Sequence, residues 1–229
     1  MGVIVYGDWG APLLWFPTSG GDECEAERQG MVSALEEFVE AGRVKLYAIG
    51  SANAESFYDK QAHPFHRSYV QAQFDAYVHR EVMPFVEQDC QTPGIAMAAA
   101  GASFGAYHAV NTLLKHPAMV KRCFALSGLY DLRRFMDGQY DDNFYFNNPI
   151  DYVGGLSDPA ILSELASCDI HVATGTGPWE HSEWSYAFSE VLQRRGIRHS
   201  LDDWGPEGGH DWVFWKHQMR EYLRRYFSQ

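Results

Sequence analysis

Short apolar runs alternate with longer amphipathic stretches along nearly the whole chain. "GVIVYG" and "PLLWFP" read as two short strands flanking the turn signal "GDWG". In "AERQGMVSALEEFVEAG" the spacing of Met31, Leu35 and Val39 predicts a helix, stopped by Gly42. "VKLYAIG" (44–50) has the look of a buried strand, while "SANAESFYDKQAHPFHR" has no period and reads as a loop. "SYVQAQFDAYVHREVMPFVEQ" predicts a long helix that must bend or break near Pro84.

The alternation continues with strand "IAMAAAG", a helix over 104–116 stopped by Pro117, and strand "KRCFALSG". Residues 129–167 interrupt it with aromatic, Asp- and Asn-rich sequence. Strand "DIHVATG", a helix over 181–195, strand "RHSLDDW" and a final helix follow. That helix carries Trp215, Met219, Tyr222, Leu223 and Tyr226 on one face. Strands alternating with helices predict an α/β fold, with a mainly parallel sheet covered by helices on both faces. Ligands of such sheets bind beyond the carboxyl ends of the strands. The 229 residues suit one such domain (1–229), with 129–167 as a small aromatic-rich insertion over the active site.

Composition narrows the classes of function. The chain is 46% hydrophobic and 15% aromatic, far from a disordered composition. Thirty acidic against 18 basic residues give a net charge of −12 and no basic patch, which argues against nucleic acid and anionic membranes as partners. A homo-oligomer is compatible with this composition. Cys24, Cys90, Cys123 and Cys168 form no C-x-x-C pair and read as free, mostly buried thiols of a reducing compartment. "MGVIVYGDWG" has neither a basic nor an apolar leader region, and no apolar run has the length of a membrane span, so the expected location is cytoplasmic.

The candidate chemistry starts at Gly101-Ala102-Ser103-Phe104-Gly105. A G-x-S-x-G pattern alone says little; here it joins an apolar strand to an amphipathic helix, the context in which such a serine serves as a nucleophile. The sharp turn leaves no room for Cβ atoms at Gly101 and Gly105, and the alanines around it allow close packing. A simple helix N-cap would need no glycine on both sides. A serine nucleophile needs a histidine base. "WGPEGGHDW" offers His210 in a Gly-rich loop between the last strand and the last helix, on the same sheet edge as Ser103. The supporting acid should lie between them, in a loop after a strand. Glu180 is preferred, with Glu183 and Asp131 as the alternatives. For the oxyanion hole the expected donors are the backbone N–H groups of Phe104 and Ser19, the latter in the "TSGG" loop, with Thr18 also in play. Aromatic residues of 129–167 and of the acid loop are expected to wall the substrate pocket, among them Tyr145, Phe146 and Trp179. His63 and His66, with Asp59 nearby, have the spacing of metal ligands but lie in a segment read as loop.

Through "FPTSGG", "YVHREVMPFV", "GASFGAYHAVNTLLKHP", "ALSGLYDL" and "GGHDW" the chain resembles an α/β-hydrolase of the esterase D-type putative esterase family. That group includes S-formylglutathione hydrolases, feruloyl esterases and mycolyltransferases. The resemblance spans nearly the whole chain and is most specific at the serine turn and its helix. It implies Ser103 as nucleophile, His210 as base, and hydrolysis of esters or thioesters with no metal or organic cofactor. The family often has an Asp soon after the Gly of the acid loop, and "GTGPWEHSE" has none, so the acid stays open among the three carboxylates. With only ~40 residues between strands at 129–167 there is no room for a large lid, and the expected substrate is a small-molecule ester, small or aromatic. An acyltransferase would carry the same triad, and a non-catalytic binding protein of this fold would be expected to lose the Ser or the His.

Overall fold

Two-residue alternation along the strands decides which side chain goes to which face of a seven-stranded sheet. In the computed structural model, which describes residues 1–227, the strands are β1 (Val3–Tyr6), β2 (Ala11–Phe16), β3 (Val44–Ile49), β4 (Met97–Ala102), β5 (Val120–Leu126), β6 (Asp169–Thr174) and β7 (Ser200–Asp203). Their order is β1-β3-β2-β4-β5-β6-β7. β1 runs antiparallel to β3, and every other pair is parallel. Leu14, Phe16, Ala99, Cys123 and Val172 point to one face; Leu13, Trp15, Ala98, Ala100 and Leu126 point to the other. Each face is an apolar cluster, so the central strands are buried on both sides, as a parallel sheet requires. Burying one such Leu or Phe contributes roughly 1.5–3 kcal/mol.

The helices cover the two faces. α1 (Glu25–Arg28) and α2 (Met31–Glu40) are separate, although the apolar spacing suggests one helix. Gly30, at φ 73, divides them. α3 (Pro64–Tyr77) starts within the stretch read as a loop. Its first turn lies there and the rest falls in the predicted long helix; its inner face mixes Arg67, Ser68 and Gln71 with Pro64 and Phe74. His63 caps it, its ring nitrogen accepting the Phe65 N–H at 3.2 Å. The expected break near Pro84 takes the form of a wide π-helical turn over Val78–Val82, from which α4 (Met83–Asp89) continues with Pro84 in its first turn. α5 (Phe104–Lys115) is almost wholly buried.

Residues 129–167 form a short 3₁₀ turn (Arg133–Phe135), α6 (Asp142–Tyr145), α7 (Pro149–Gly155) and α8 (Pro159–Ala166). α9 (Ser182–Arg194) and α10 (Trp212–Tyr226) complete the chain. The predicted face of α10 is the buried one, with Trp215, Met219, Tyr222 and Leu223 packed on the sheet face shared with α2. Among the described residues no helix is long and apolar enough to cross a membrane. All four cysteines are free, and Cys123 and Cys168 are buried.

Candidate active site

Ser103 sits between β4 and α5 with φ 56 and ψ −119, a backbone conformation that L-residues seldom adopt. Small neighbours hold it there. A Cβ on Gly101 would overlap the backbone of Gly105, and a Cβ on Gly105 would overlap the carbonyls of Phe16 and Pro17. The turn can therefore form only where strand, helix and the end of β2 touch backbone to backbone. Its strain of order 1–3 kcal/mol is carried by this surrounding packing and by the Ser103 N–H, which donates to Leu126 O at 2.8 Å.

His210 arrives from the other end of the sequence. Two Gly-rich loops, one after β6 and one after β7, lie against each other. Thr176 N–H donates to Gly205 O (2.7 Å), Gly177 N–H to Gly208 O (2.8 Å) and His210 N–H to Pro178 O (2.9 Å). A Cβ on Gly175 would collide with the backbone of Gly208, so side chains there would pry the loops apart. This pairing brings His210 Nε2 to 2.9 Å from Ser103 Oγ. The imidazole meets the edge of Trp215 at 5.1 Å between ring centres. Burial holds its pKa below the ordinary 6.5, reinforced by the nearby His181 and opposed by Asp211.

The same loop pairing places Glu180 behind His210. Its side chain is only 2% exposed, and Oε2 stands 3.9 Å from His210 Nδ1. Oε1 accepts the Thr174 hydroxyl at 2.9 Å, while Oε2 has no hydrogen-bond partner among the described residues. Burial raises the Glu180 pKa above 4.5, and the Ser127 and Thr174 hydroxyls partly offset this. Ser127 is itself oriented by Trp215, whose indole N–H donates to its hydroxyl at 2.9 Å. The two alternative carboxylates are engaged elsewhere. Glu183, 65% exposed, pairs with His181 at 3.0 Å. Asp131 pairs with Arg133 at 2.7 Å.

The "TSGG" loop leaves β2 beside the N-terminus of α5. Thr18 spends its N–H and its hydroxyl on the buried Glu25 carboxylate, at 2.7 and 2.6 Å. Thr18 therefore has neither its N–H nor its hydroxyl free, while the N–H groups of Ser19 and Gly20 have no acceptor among the described residues. The Phe104 N–H is the first of its helix and has no acceptor within it. Among the expected pocket residues, Trp179 is 84% exposed at φ 62, immediately before Glu180. Tyr145 packs on the core with Phe146 against its ring, beside an Asn147 that binds Asn111 and Lys115. Asn147 O also accepts the Tyr107 hydroxyl at 2.8 Å, so the pair lies along the flank of α5. The aromatic groups clustered with Phe104 are Phe57, Tyr58, Tyr107, Phe135, Phe144 and Trp184, of which Phe135 and Phe144 come from the 129–167 segment.

Ser127, Thr174, Trp215 and Tyr58 went unrecognised in the sequence. Ser127 in "ALSG" and Thr174 in "DIHVATG" carry one signal, their place at the carboxyl end of a strand.

A sequence profile for the family described as "Putative esterase" matches residues 33–226. No curated protein matches the chain in sequence. Among solved structures, the S-formylglutathione hydrolase of Agrobacterium tumefaciens superposes with a TM-score of 0.71 at 15% identity, covering 97% of this chain and 87% of that one. A ferulic acid esterase gives 0.66 at 18% identity, over 97% and 86% of the two chains. The fluorophosphonate-binding serine hydrolase F of Staphylococcus aureus gives 0.65 at 18% identity, over 95% and 84%. At these identities the structures speak for the fold alone.

Proposed function

The chain belongs to the putative esterase family, a carboxylesterase-type group of serine hydrolases with the α/β-hydrolase fold, and from that premise we propose a Ser103–His210–Glu180 triad. The 2.9 Å contact between His210 Nε2 and Ser103 Oγ is the observation that carries it.

In this reading neutral His210 takes the Ser103 proton as the hydroxyl attacks the ester carbonyl. The N–H groups of Phe104 and Ser19 hold the tetrahedral oxyanion, assisted by the N-terminal dipole of α5. His210 then protonates the leaving alcohol, and water repeats the cycle on the acyl-enzyme. Glu180 fixes the imidazole tautomer and stabilises its cationic form. Its Oε2 stands 3.9 Å from Nδ1, and catalytic hydrogen bonds of this kind commonly tighten only when substrate is bound.

Small or aromatic esters fit best. A cleft of about 440 Å³ shares Leu129 and Trp184 with the Phe104 cluster; Ile150 and Ala187 complete its apolar wall, and Asp131, Arg133, Arg134 and Glu183 make the remainder charged. A fluorophosphonate probe should label Ser103, seen as a mass shift on its peptide. Ser103→Ala should lose turnover of p-nitrophenyl acetate by at least about 10⁴-fold while keeping its melting temperature. Near wild-type turnover by that variant, or faster hydrolysis of palmitoyl than of acetyl esters, refutes the respective part of the proposal.

A further inference from the structure

His108 is a buried titratable group that the triad does not use. It lies on α5 at 2% exposure, boxed by the rings of Phe16, Phe74, Phe104 and Tyr107 at 4.7–5.9 Å between ring centres. Burial lowers its pKa to about 3, so the ring is neutral. Its Nε2 lies 2.8 Å from Asn53 Oδ1, and Asn53 Nδ2 donates to Thr18 O at 3.2 Å. The direction of this chain is set from one end. A carbonyl can only accept, so the amide NH₂ of Asn53 must face Thr18, its Oδ1 must face His108, and Nε2 must carry the proton.

Thr18 O also accepts the Gly21 N–H at 3.1 Å. The Thr18 N–H and hydroxyl are held by Glu25, and the Gly21 carbonyl accepts the Ser51 hydroxyl at 2.9 Å. Among the described residues these bonds leave over the N–H groups of Ser19 and Gly20. The peptide joining Thr18 to Ser19 is planar and trans, so its C=O and N–H point in opposite directions. Pinning Thr18 O toward Asn53 therefore aims the Ser19 N–H the other way. The segment just before the loop is pressed onto Gly105, so the loop is fixed beside the start of α5.

We propose that His108, Asn53 and Glu25 are positioning residues that aim the Ser19 N–H at the developing oxyanion, and that His108 ties this aim to the helix carrying Ser103. The inference rests on the serine-hydrolase reading above and adds the groups that hold its oxyanion donor. An oxyanion donor is worth about 10²–10³ in kcat only while preorganised. The polar chain is buried, so a lost member is not replaced by water without cost.

The test compares phenyl acetate with its thionoester, in which sulfur replaces the carbonyl oxygen and accepts hydrogen bonds poorly. Asn53→Leu should lower kcat on the ester by about 30- to 100-fold with KM within about threefold, and should lower the ester-to-thionoester rate ratio by about tenfold. His108→Phe should behave similarly, and His108→Gln, which retains a donor, should recover most of the loss. If Asn53→Leu does not fold, Glu25→Gln reads the same ratio with an expected loss of about tenfold in kcat. Retention of kcat, or equal loss on both substrates, overturns the relay and leaves a purely structural role. Ser103→Ala run alongside separates the two readings. If it stays active, the serine reading and the relay both fall. If it is inactive while Asn53→Leu and Glu25→Gln keep the wild-type ratio, only the relay falls.

Discussion

The two halves of the site are built to different tolerances. Around Ser103, backbone meets backbone: the Gly101 and Gly105 positions admit no Cβ, and the neighbouring loop is tied by Glu25 and Asn53 at 2.6–3.2 Å. Around Glu180, the decisive distance is 3.9 Å and a buried carboxylate oxygen lacks a partner. An unsatisfied buried acceptor costs about 1–3 kcal/mol, which a small movement of Glu180 toward His210 Nδ1 would recover. The strained half is held by packing that no side-chain rotation can relax. The open half hangs on two glycine-rich loops and one rotatable side chain. Ser103 is thus held by backbone packing, whereas Glu180 stands on a loop 3.9 Å from the imidazole.

The largest expected effect breaks the open half. Glu180→Gln should lose at least about a hundredfold in kcat, because the amide keeps the shape and favours the wrong imidazole tautomer. Glu183→Gln and Asp131→Asn should stay within about tenfold, their carboxylates being engaged with His181 and Arg133. Steady-state kinetics on one ester, with circular dichroism as a folding check, decides among them. A crippled Asp131→Asn would move the acid one strand earlier.

Breaking the tight half should show first in stability. Gly105→Ala forces a methyl into the carbonyls of Phe16 and Pro17 and should cost about 2 kcal/mol or more in urea unfolding. Gly20→Ala, where a Cβ meets nothing within 4 Å, should cost less than about 0.5 kcal/mol. Equal effects at the two glycines would deny that the elbow is held by backbone contact.

The smallest effect sharpens the comparison through pH. His210 must be neutral to accept the Ser103 proton, so activity falls as pH drops through its pKa, which burial holds below 6.5. Glu180 must be ionised to stabilise the imidazolium, so activity also falls as pH drops through its pKa, which burial holds above 4.5. The acid limb of kcat/KM should therefore be set by whichever of the two groups has the higher pKa, and its midpoint should lie above 4.5, the ordinary Glu value. In Glu180→Gln the limb should report His210 alone, and a midpoint above 6.5 in that variant would contradict the buried placement of His210.

Some of the site could be read directly from the chain. A Ser between two glycines at a strand–helix junction has a local cause, since only the residues of that turn must fit one another. The period of β4, α5 and α10 likewise comes from each segment's own apolar spacing. Glu180 lay within reach of the same reasoning because it follows a strand on the right edge. Which aromatic residues of 129–167 join the Phe104 cluster was not legible, for aromatic content marks a segment as able to pack without saying against what. Only the first turn of α3 falls outside the predicted helix, because Arg67 and Ser68 are buried polar residues that give no apolar period there: Arg67 donates to Phe135 O and Lys60 O, and the Ser68 hydroxyl to Asp141.

The sequence by itself determined the alternation of elements, the two-faced burial of the central strands and the serine turn, because each follows from periodicity or sterics within a few residues. Only the tertiary structure decided that β3 lies between β1 and β2, that the loops after β6 and β7 pair to deliver Glu180 and His210, and that Glu25, Asn53 and His108 lock Thr18. Those contacts join residues up to 107 positions apart, as Ser103 and His210 are. Hydrogen-bond partners at such separations are chosen by how whole elements pack, and no local pattern records that choice.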